Sequence, residues 1–342
     1  MKLFDERWPR EAEELGEALA DILAKECPPD TLRAMERGDT EVDPEGKGRI
    51  DRLDRALNEF GLWELPPDPY LLTRAAVALG AHLAPVPFVS TAPALALLGE
   101  QEIANGVDRA VVPATVARVV IAVGSGLGIA PMPSEVRRTA AGETVAVVAA
   151  VNSEPATGDP EAFRAWGFLL ESAQLVGAAQ ALLRYGVDYV KTRRQFGVPV
   201  GSFQGVAHPL ADAATALQSA DLLTRHAAYL AASDGAVPLF AAAMAAAKSR
   251  AASRQVAATV HQALGGYGFT VEADCQLYSR RIRAWSSAMP DPGPWLTQLA
   301  RTLADPATRD HVTDLWQFDR GFTLPRWALT GLPASHAGSD ET

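Results

Sequence analysis

The stretch that decides the fold reads YVKTRRQFGVPVGSFQ, from Tyr189 to Gln204. Basic residues and a glycine close a long segment without proline, and a second apolar segment follows, as expected where one helix ends and another begins. About sixty residues further on, QALGGYG runs from Gln262 to Gly268 at the end of an alanine-rich segment that opens with Pro238. Proline at the start and glycine at the end are typical of a helix. These motifs predict a set of long neighbouring helices.

The rest of the sequence places these helices in a larger, mostly α-helical protein. Residues 5–98 repeat apolar side chains at three- and four-residue spacing, which predicts helices. Between residues 107 and 151, short β-branched runs alternate with glycine and proline, the pattern of a small strand-rich segment. The GSGLG sequence at 124–128 is predicted to be a plain turn, because it has neither the lysine of a P-loop nor a GxGxxG spacing.

We therefore predict four parts in the chain. An N-terminal helical domain covers residues 1–104, a shortened β-rich middle domain covers 105–155, and a C-terminal helical domain resembling a four-helix bundle covers 156–331. The small, polar residues 332–342 are predicted to form a flexible tail. The long helices of the C-terminal domain are expected at Phe168 to about Arg194, Val206–Ala232 and Val237–Leu264.

Composition excludes several classes of function. With 31 basic against 41 acidic residues and a formal net charge of −10, the surface repels phosphate backbones, so nucleic acid is not an expected partner. The charged N-terminus does not resemble a signal peptide, and no run of about 20 uncharged apolar residues occurs, so we expect a cytoplasmic protein that does not bind membranes. The cysteines, Cys27 and Cys275, suit a reducing compartment, and no zinc-ligand spacing predicts a metal site.

The two motifs resemble the RxxFGxxxxxxQ and QxxGGxG signatures of the acyl-CoA dehydrogenase family, on matching elements and at a matching distance. The resemblance covers Gly167 to Ala288 well, the N-terminal helices in outline and the β-rich segment poorly. It implies an acyl-CoA dehydrogenase-like fold, FAD as the cofactor, and a set of residues that bind FAD across a subunit interface. These residues are Arg193, Phe196, Gln204, Gln262, Gly265 and Gly266.

The chemistry of these residue types agrees with that implication. The guanidinium of Arg193 offers forked donors that suit a pyrophosphate. The glycine pair Gly265-Gly266 would allow the adenine half of FAD to approach the backbone where any Cβ would clash. The motif residues therefore supply one wall of an FAD site.

The catalytic base is where the sequence departs from the family. Members of the family remove the α-proton of the acyl-CoA with a glutamate, and its two known positions fall here at Gly167 and near Met289, neither of which is a carboxylate. Glu171, one helical turn beyond Gly167, and Asp291 are the nearest carboxylates and the remaining candidates. The alternative for each is a solvated or capping carboxylate. The β-rich segment also lacks the TEP…GSD-type stretch with which the family holds the flavin ring.

Two further groups of polar residues have less specific interpretations. Arg280, Arg281 and Arg283 form the densest basic group, and they are predicted to be either an exposed helix face or a contact for FAD or CoA phosphates. The histidines in helical segments have no paired ligands and are predicted to be structural or exposed. They are His208, His226 and His261.

Taken together, the resemblance implies a subunit that keeps the FAD motifs but lacks the base. It is similar to the small subunit of actinobacterial heterotetrameric steroid-CoA dehydrogenases, in which a second, longer acyl-CoA dehydrogenase chain would supply the glutamate in an α2β2 assembly. The substrate would be an acyl-CoA thioester and the electron acceptor an electron-transfer flavoprotein or a similar protein. One alternative is a self-sufficient homo-oligomeric dehydrogenase with a non-standard base. The other is a flavin-free scaffold or binding protein that retains only the fold.

Overall fold

A computed structural model describes residues 4–37, 44–98, 103–107, 109–113, 118–123, 126–131, 136–139, 143–149, 154–288 and 290–305. Within these ranges the chain forms ten α-helices and nine short strands, in the order helices, strands, helices. This confirms the mostly α-helical fold class. The chain divides into two compact units, Met1–Trp295 and Leu296–Thr342. The domain boundaries predicted from the sequence remain predictions, and the predicted tail at 332–342 lies outside the described residues.

Five helices precede the strands. Leu19 and Leu23 of the first helix and Leu53 and Leu57 of the third are fully buried, as their three- and four-residue spacing predicts. The fourth helix begins where the Asp68 carboxylate accepts hydrogen bonds from two backbone N–H groups of the first turn. The helices are α1 (Arg10–Glu26), α2 (Pro29–Arg37), α3 (Pro44–Phe60), α4 (Pro69–Ala81) and α5 (Phe88–Leu98).

Two small sheets follow. The first has the strand order β1-β3-β4-β7, with β1 parallel to β3 and the other pairs antiparallel, and the second has the antiparallel order β2-β6-β5. Val120 and Leu127 of the first sheet are buried against Phe163 and Ala94, so this sheet packs onto the neighbouring helices. The strands are β1 (Ile103–Val107), β2 (Arg109–Pro113), β3 (Arg118–Val123), β4 (Gly126–Pro131), β5 (Val136–Arg138), β6 (Thr144–Ala149) and β7 (Glu154–Ala156).

The plain turn predicted over 124–128 is wrong for its second half. Gly126 and Gly128 belong to β4, where Gly126 pairs with Val123 and Gly128 pairs with Ile121 in an antiparallel ladder. The alternating apolar residues around these glycines outweigh the low strand propensity of glycine. Residues 124 and 125 lie outside the described residues.

The long helices follow the sequence prediction closely. The first of them begins earlier than expected, at Pro160, because the Asp159 carboxylate caps it by accepting a hydrogen bond from Glu161 N. Pro209 lies inside the second without delaying its start. The C-terminal elements are α6 (Pro160–Thr192), β8 (Arg194–Gln195), β9 (Val198–Pro199), α7 (Gln204–Asp234), α8 (Leu239–Leu264), α9 (Cys275–Trp285) and α10 (Gly293–Ala304).

Helix α6 is central because glycines let other helices approach it closely. A Cβ on Gly177 would lie 2.0 Å from the Val77 carbonyl oxygen, and one on Gly80 would lie 2.1 Å from the Gln174 carbonyl oxygen. Backbone therefore meets backbone along what we call the glycine seam, formed by Gly80 of α4 and Gly177 of α6. The seam fixes α4 against α6 and leaves no room for a side chain between them at these positions.

Candidate functional site

The first motif forms a tight hairpin directly after α6. Strands β8 and β9 pair around Phe196 and Gly197, whose φ angles are 52° and 83°. Two successive positive φ angles are typical of a type I′ turn, for which glycine is well suited and phenylalanine is not. The Phe196 side chain is nevertheless 93% exposed, with an edge-to-face contact to the Phe203 ring, and the Arg194 guanidinium donates a hydrogen bond to the Gly197 carbonyl oxygen. Strain of this kind at an exposed aromatic residue is typical of a functional position.

The second motif forms an open backbone turn at the end of α8. Gly265 has φ 60° and ψ −139°, a conformation that residues with a Cβ rarely adopt, and a short 3₁₀ turn follows as far as Phe269. A Cβ built on either Gly265 or Gly266 would meet no atom within 4 Å. The described part of the chain therefore leaves open space over this glycine pair, and no packing contact within it requires glycine at 266.

The structure brings the two motifs together at one end of α6 and α8. The rings of Tyr189, in the last turn of α6, and Tyr267, in the glycine turn, are stacked with centroids 5.6 Å apart. Burial and a hydrogen bond to Tyr267 raise the pKa of Tyr185, one helical turn earlier. At the same contact, the side chain of Val260 fills the space beside Gly186. The residues that follow these two helices are therefore neighbours in space.

Contacts with α9 also stabilise the turn that contains Gly265 and Gly266. The Cys275 thiol donates a hydrogen bond to the Gly268 carbonyl oxygen at 3.5 Å, and burial raises the pKa of this thiol to about 11, so it keeps its proton. His261 Nε2 lies 2.9 Å from Ser279 Oγ, which joins α8 to α9. His261 is thus structural, as predicted, and Cys275 anchors the turn.

All six residues predicted to bind FAD are exposed at this end. Arg193 follows the last residue of α6, and no described residue forms a hydrogen bond or ion pair with its guanidinium. We call this surface the motif end and define it by Arg193, Phe196, Gln204, Gln262, Gly265 and Gly266. Exposed apolar residues in the same segments add to it, and large exposed aromatic groups of this kind are typical of contact surfaces. They are Val198, Phe203, Tyr267, Phe269 and Val271.

Glu171, the first candidate base, lies in the interior. Its side chain is 3% exposed, and its two oxygens accept hydrogen bonds from Arg250 Nε at 2.9 Å and Nη2 at 2.7 Å. Burial raises the pKa of Glu171 to about 7, while Arg250 opposes that rise. The expectation of a solvated or capping carboxylate is therefore wrong for Glu171. Both oxygens are occupied, so the described geometry does not present this carboxylate to a substrate.

Arg250 also holds the segment near Met289, where the second of the family's two positions for the catalytic glutamate falls. Its Nη1 donates to the Pro290 carbonyl oxygen at 2.8 Å. Asp291 is exposed, and its Oδ1 accepts a hydrogen bond from Gly293 N at the start of α10, which is the capping role given above as its alternative. Met289 lies outside the described residues. We refer to Glu171, Arg250 and the Pro290 carbonyl together as the interior clamp.

The basic group of α9 is mainly structural. Arg281 is 1% exposed and donates to Glu36 Oε1 at 2.8 Å, and Arg280 also pairs with Glu36. These ion pairs attach α9 to α2, so neither an exposed face nor a phosphate contact describes Arg281. Arg283 is exposed. The sequence contains no local signal for the pairing with Glu36, which lies 245 residues before Arg281.

Sequence reasoning also missed Arg250 and the stacked tyrosines. Arg250 lies in an alanine-rich helix. A cation buried in such a helix needs a buried anion, so the sequence signal for the pair was an arginine among alanines. Tyr189 and Tyr267 sit within the two motifs, but their stacking depends on how α6 and α8 pack. Within the described residues, no helix is long and apolar enough to cross a membrane, and no group of three or more potential ligand side chains is placed to bind a metal.

Comparison with known proteins agrees with this geometry. Residues 169–288 match the family described as acyl-CoA dehydrogenase, C-terminal domain, which confirms the resemblance seen in the two motifs. Acyl-CoA dehydrogenase FadE34 of Mycobacterium tuberculosis is 39% identical over 129 residues, which are 37% of this chain and 18% of that protein. Acyl-CoA dehydrogenase IpdE2 of the same organism is 29% identical over 321 residues, with 85% of this chain and 96% of that protein covered.

Two solved structures share the fold of most of this chain. The ChsE4–ChsE5 complex from M. tuberculosis has a chain with a TM-score of 0.72 at 20% identity, covering 88% of this chain and 99% of that one. The Tcur3481–Tcur3483 steroid ACAD has a chain with a TM-score of 0.73 at 21% identity, covering 87% of this chain and 98% of that one. The chain therefore has the acyl-CoA dehydrogenase fold, and its residues 169–288 match the C-terminal domain of that family.

Proposed function

We propose that this chain is the FAD-motif subunit of a heteromeric, FAD-dependent acyl-CoA dehydrogenase whose partner chain supplies the catalytic glutamate. One observation carries the proposal: the FAD motifs are exposed and open, while Glu171, the carboxylate nearest the helix position of the family base, is enclosed by Arg250. A chain with this arrangement can hold a cofactor at its surface but offers no accessible base at that place.

The residues of the motif end fit FAD. Arg193 has a guanidinium that no described residue neutralises, and such a group binds pyrophosphate oxygens through paired donors. Gln204 and Gln262 are exposed amides that can donate and accept hydrogen bonds. The open space over Gly265 and Gly266 admits a flat adenine against the backbone. Bound FAD would supply the acceptor for the hydride that leaves the β-carbon of an acyl-CoA thioester.

The stacked tyrosines and the Cys275 hydrogen bond give these residues fixed positions. Cofactor-binding groups on rigid, supported elements lose less entropy on binding than groups on mobile loops. Phe196 adds an apolar face that is held exposed by its turn. The chain's contribution to the reaction is thus to bind and orient the cofactor, while the α-proton is taken by the glutamate of the partner chain.

The neighbouring structures support the heteromeric assembly and suggest the substrate class. One of them is a complex of two differently named chains, and the other is called a steroid ACAD. We accordingly propose an α2β2 assembly with a longer acyl-CoA dehydrogenase chain, a steroid side-chain CoA ester as substrate, and an electron-transfer flavoprotein or similar acceptor. The substrate class rests on fold-level analogy.

The first test measures the amount of flavin per polypeptide from visible absorbance. The full chain is purified alone, and it is also purified through a tag together with the longer dehydrogenase chain that accompanies it. We expect little flavin in the isolated chain and a yellow complex. About one flavin in each isolated chain would favour the self-sufficient enzyme. A complex that contains the longer chain but no flavin would favour the scaffold.

The second test replaces Arg193 by alanine in that complex. Loss of a charge-assisted contact of about 1.5–3 kcal/mol should weaken flavin retention by roughly tenfold or more. Arg55→Ala, at an exposed position of α3, serves as the matched control and should leave flavin content unchanged. Equal flavin content in the Arg193 variant and the control would contradict the assignment of the motif end.

A third test separates the proposal from the self-sufficient alternative. Glu171→Gln should leave turnover of the complex nearly intact, because the proton is removed by another chain. A loss of about 100-fold or more, the usual scale for removing a general base, would instead identify Glu171 as that base.

A further inference from the structure

A cleft of about 720 Å³ opens between α1, α4, α6 and α7. Its floor is a strip of small apolar residues on one face of α4, where Val77, Ala78 and Ala81 lie at helical spacing between Arg74 and His82. The four residues of helix rise from Val77 to Ala81 give the strip a length of about 6 Å, and its polar ends, Arg74 and His82, are about 12 Å apart along the helix. A concave site of this volume is in the range that holds small organic ligands.

The wall of the cleft is lined by arginines, most of which are already paired. Arg10 binds Glu14 at 2.7 Å, Arg225 binds Asp221 at 2.6 Å, and Arg74 makes a longer contact of 3.3 Å with Glu13. The buried Nε atoms of Arg74 and Arg225 have no hydrogen-bond partner among the described residues. The acidic residues therefore neutralise much of the charge but leave individual donors unused.

Arg184 is the exception among these cations. It is exposed on α6, one turn beyond Gln180, and within the described ranges it has neither an ion pair nor a side-chain hydrogen bond. His82 lies at the end of the apolar strip. Burial lowers the pKa of its imidazole, and the positive charge of the nearby Arg184 lowers it further. His82 is thus biased toward its neutral form, in which the ring can both donate and accept a hydrogen bond.

We propose that this cleft binds an amphipathic organic acid, with its carboxylate on Arg184 and its apolar body along Val77, Ala78 and Ala81. A single unneutralised cation at one end of an apolar strip matches a monoanion with an apolar body. It matches a polyphosphate poorly, because a polyphosphate would need several free cations and would gain nothing from the strip. The inference does not depend on the proposed dehydrogenase role.

The test titrates the full chain with three probes and follows the imidazole signals of His82 by NMR, with the assignment made from His82→Gln. The probes are cholate, a rigid polycyclic carboxylate; decanoate, a linear one; and inorganic phosphate. We expect at least one carboxylate to shift the His82 signals saturably with a Kd of about 1 mM or tighter, and phosphate to bind at least about tenfold more weakly. Tighter binding of cholate would indicate a rigid ligand body, and tighter binding of decanoate a linear one.

Two variants and a control complete the test. Arg184→Gln should weaken carboxylate binding by about tenfold or more, whereas Arg55→Gln should leave it unchanged. Ala81→Leu, which narrows the strip without altering charge, should weaken binding of the carboxylates but not of phosphate. Equal affinity for phosphate and the carboxylates, no saturable binding, or unchanged binding in Arg184→Gln would overturn the proposal. Arg184→Lys retains the charge and should retain binding, which separates loss of the cation from a change in stability in Arg184→Gln.

Discussion

Two glycine-containing regions of this protein differ in what their glycines contact. At the glycine seam, Gly80 and Gly177 lie against backbone atoms, and a Cβ would come within 2.1 Å of a carbonyl oxygen. At the motif end, Gly265 and Gly266 face open space. The seam glycines are required by the packing of the chain itself. The open space at the motif end leaves room for a molecule outside the chain.

The charged residues of the two regions show the same contrast. Arg250, in the interior clamp, is buried and satisfied by a carboxylate and a carbonyl, whereas Arg193 at the motif end is exposed with no described partner. A buried ion pair with a shifted pKa is weak evidence of a functional site, because structural ion pairs shift pKa values as well. The comparison therefore favours the motif end, rather than the clamp, as the location of the proposed function. The following predictions test that division.

The largest effect is expected from breaking the interior clamp. Arg250→Met removes the cation and leaves the Glu171 carboxylate buried without its partner, which typically costs about 3–5 kcal/mol of unfolding free energy. Chemical denaturation monitored by circular dichroism measures this change. The double variant Glu171→Met with Arg250→Met should recover much of the loss, since no charge is left buried. A double variant as unstable as the single one would show that packing, rather than the unpaired charge, dominates at this place.

The second expected effect is a pH dependence of the free energy of unfolding, caused by Glu171. Its ordinary pKa is 4.5 and its folded-state pKa is about 7, so between these values the folded protein binds a proton that the unfolded chain has released. The resulting stability is fully present below pH 4.5 and is lost as the pH rises through 7, with a slope of at most about 1.4 kcal/mol per pH unit. The unfolding free energy of the wild type minus that of Glu171→Gln should therefore decrease from pH 4.5 to 7. A flat or rising difference would show that Arg250 keeps the carboxylate ionised throughout.

A smaller loss of stability is expected when a side chain is introduced at the glycine seam. Gly177→Ala places a methyl group where the Val77 carbonyl oxygen lies, so α4 must shift away from α6 at a cost of about 1–3 kcal/mol. Thermal unfolding measures the change, and Gly205→Ala at the start of α7, where a Cβ meets nothing within 4 Å, is the matched control. Equal midpoints for the two variants would mean that the seam is looser than its backbone contacts indicate.

The smallest effect on stability, and the most informative, is expected from Gly266→Ala. The Cβ of alanine enters open space, so the free energy of unfolding should remain within about 0.5 kcal/mol of the wild-type value. Flavin content of the complex with the longer chain should nevertheless fall, because the same methyl group would occupy the proposed path of the adenine. Normal flavin content in this variant would separate the glycine pair from cofactor binding.

Much of this architecture could be predicted from the residues because it depends on local interactions. Proline starts, glycine stops and apolar spacing indicated the long helices, and the structure places their ends at Thr192 and Leu264, close to the predicted residues. The turn predicted at Gly126 and Gly128 is wrong, because the strand character of these glycines comes from pairing with β3 rather than from their own propensity. The motif residues were found because their spacing along the chain is itself the signal.

What the sequence by itself determined is the family of fold, the order of its elements and the residues of the motif end, all of which depend on short-range patterns. Only the tertiary structure decided that Glu171 is paired with Arg250, 79 residues away, and that Arg281 is buried against Glu36. It also decided that Tyr189 meets Tyr267 and that a cleft opens beside Arg184. These contacts join residues far apart in sequence, and their energies depend on burial, which arises only when the helices pack.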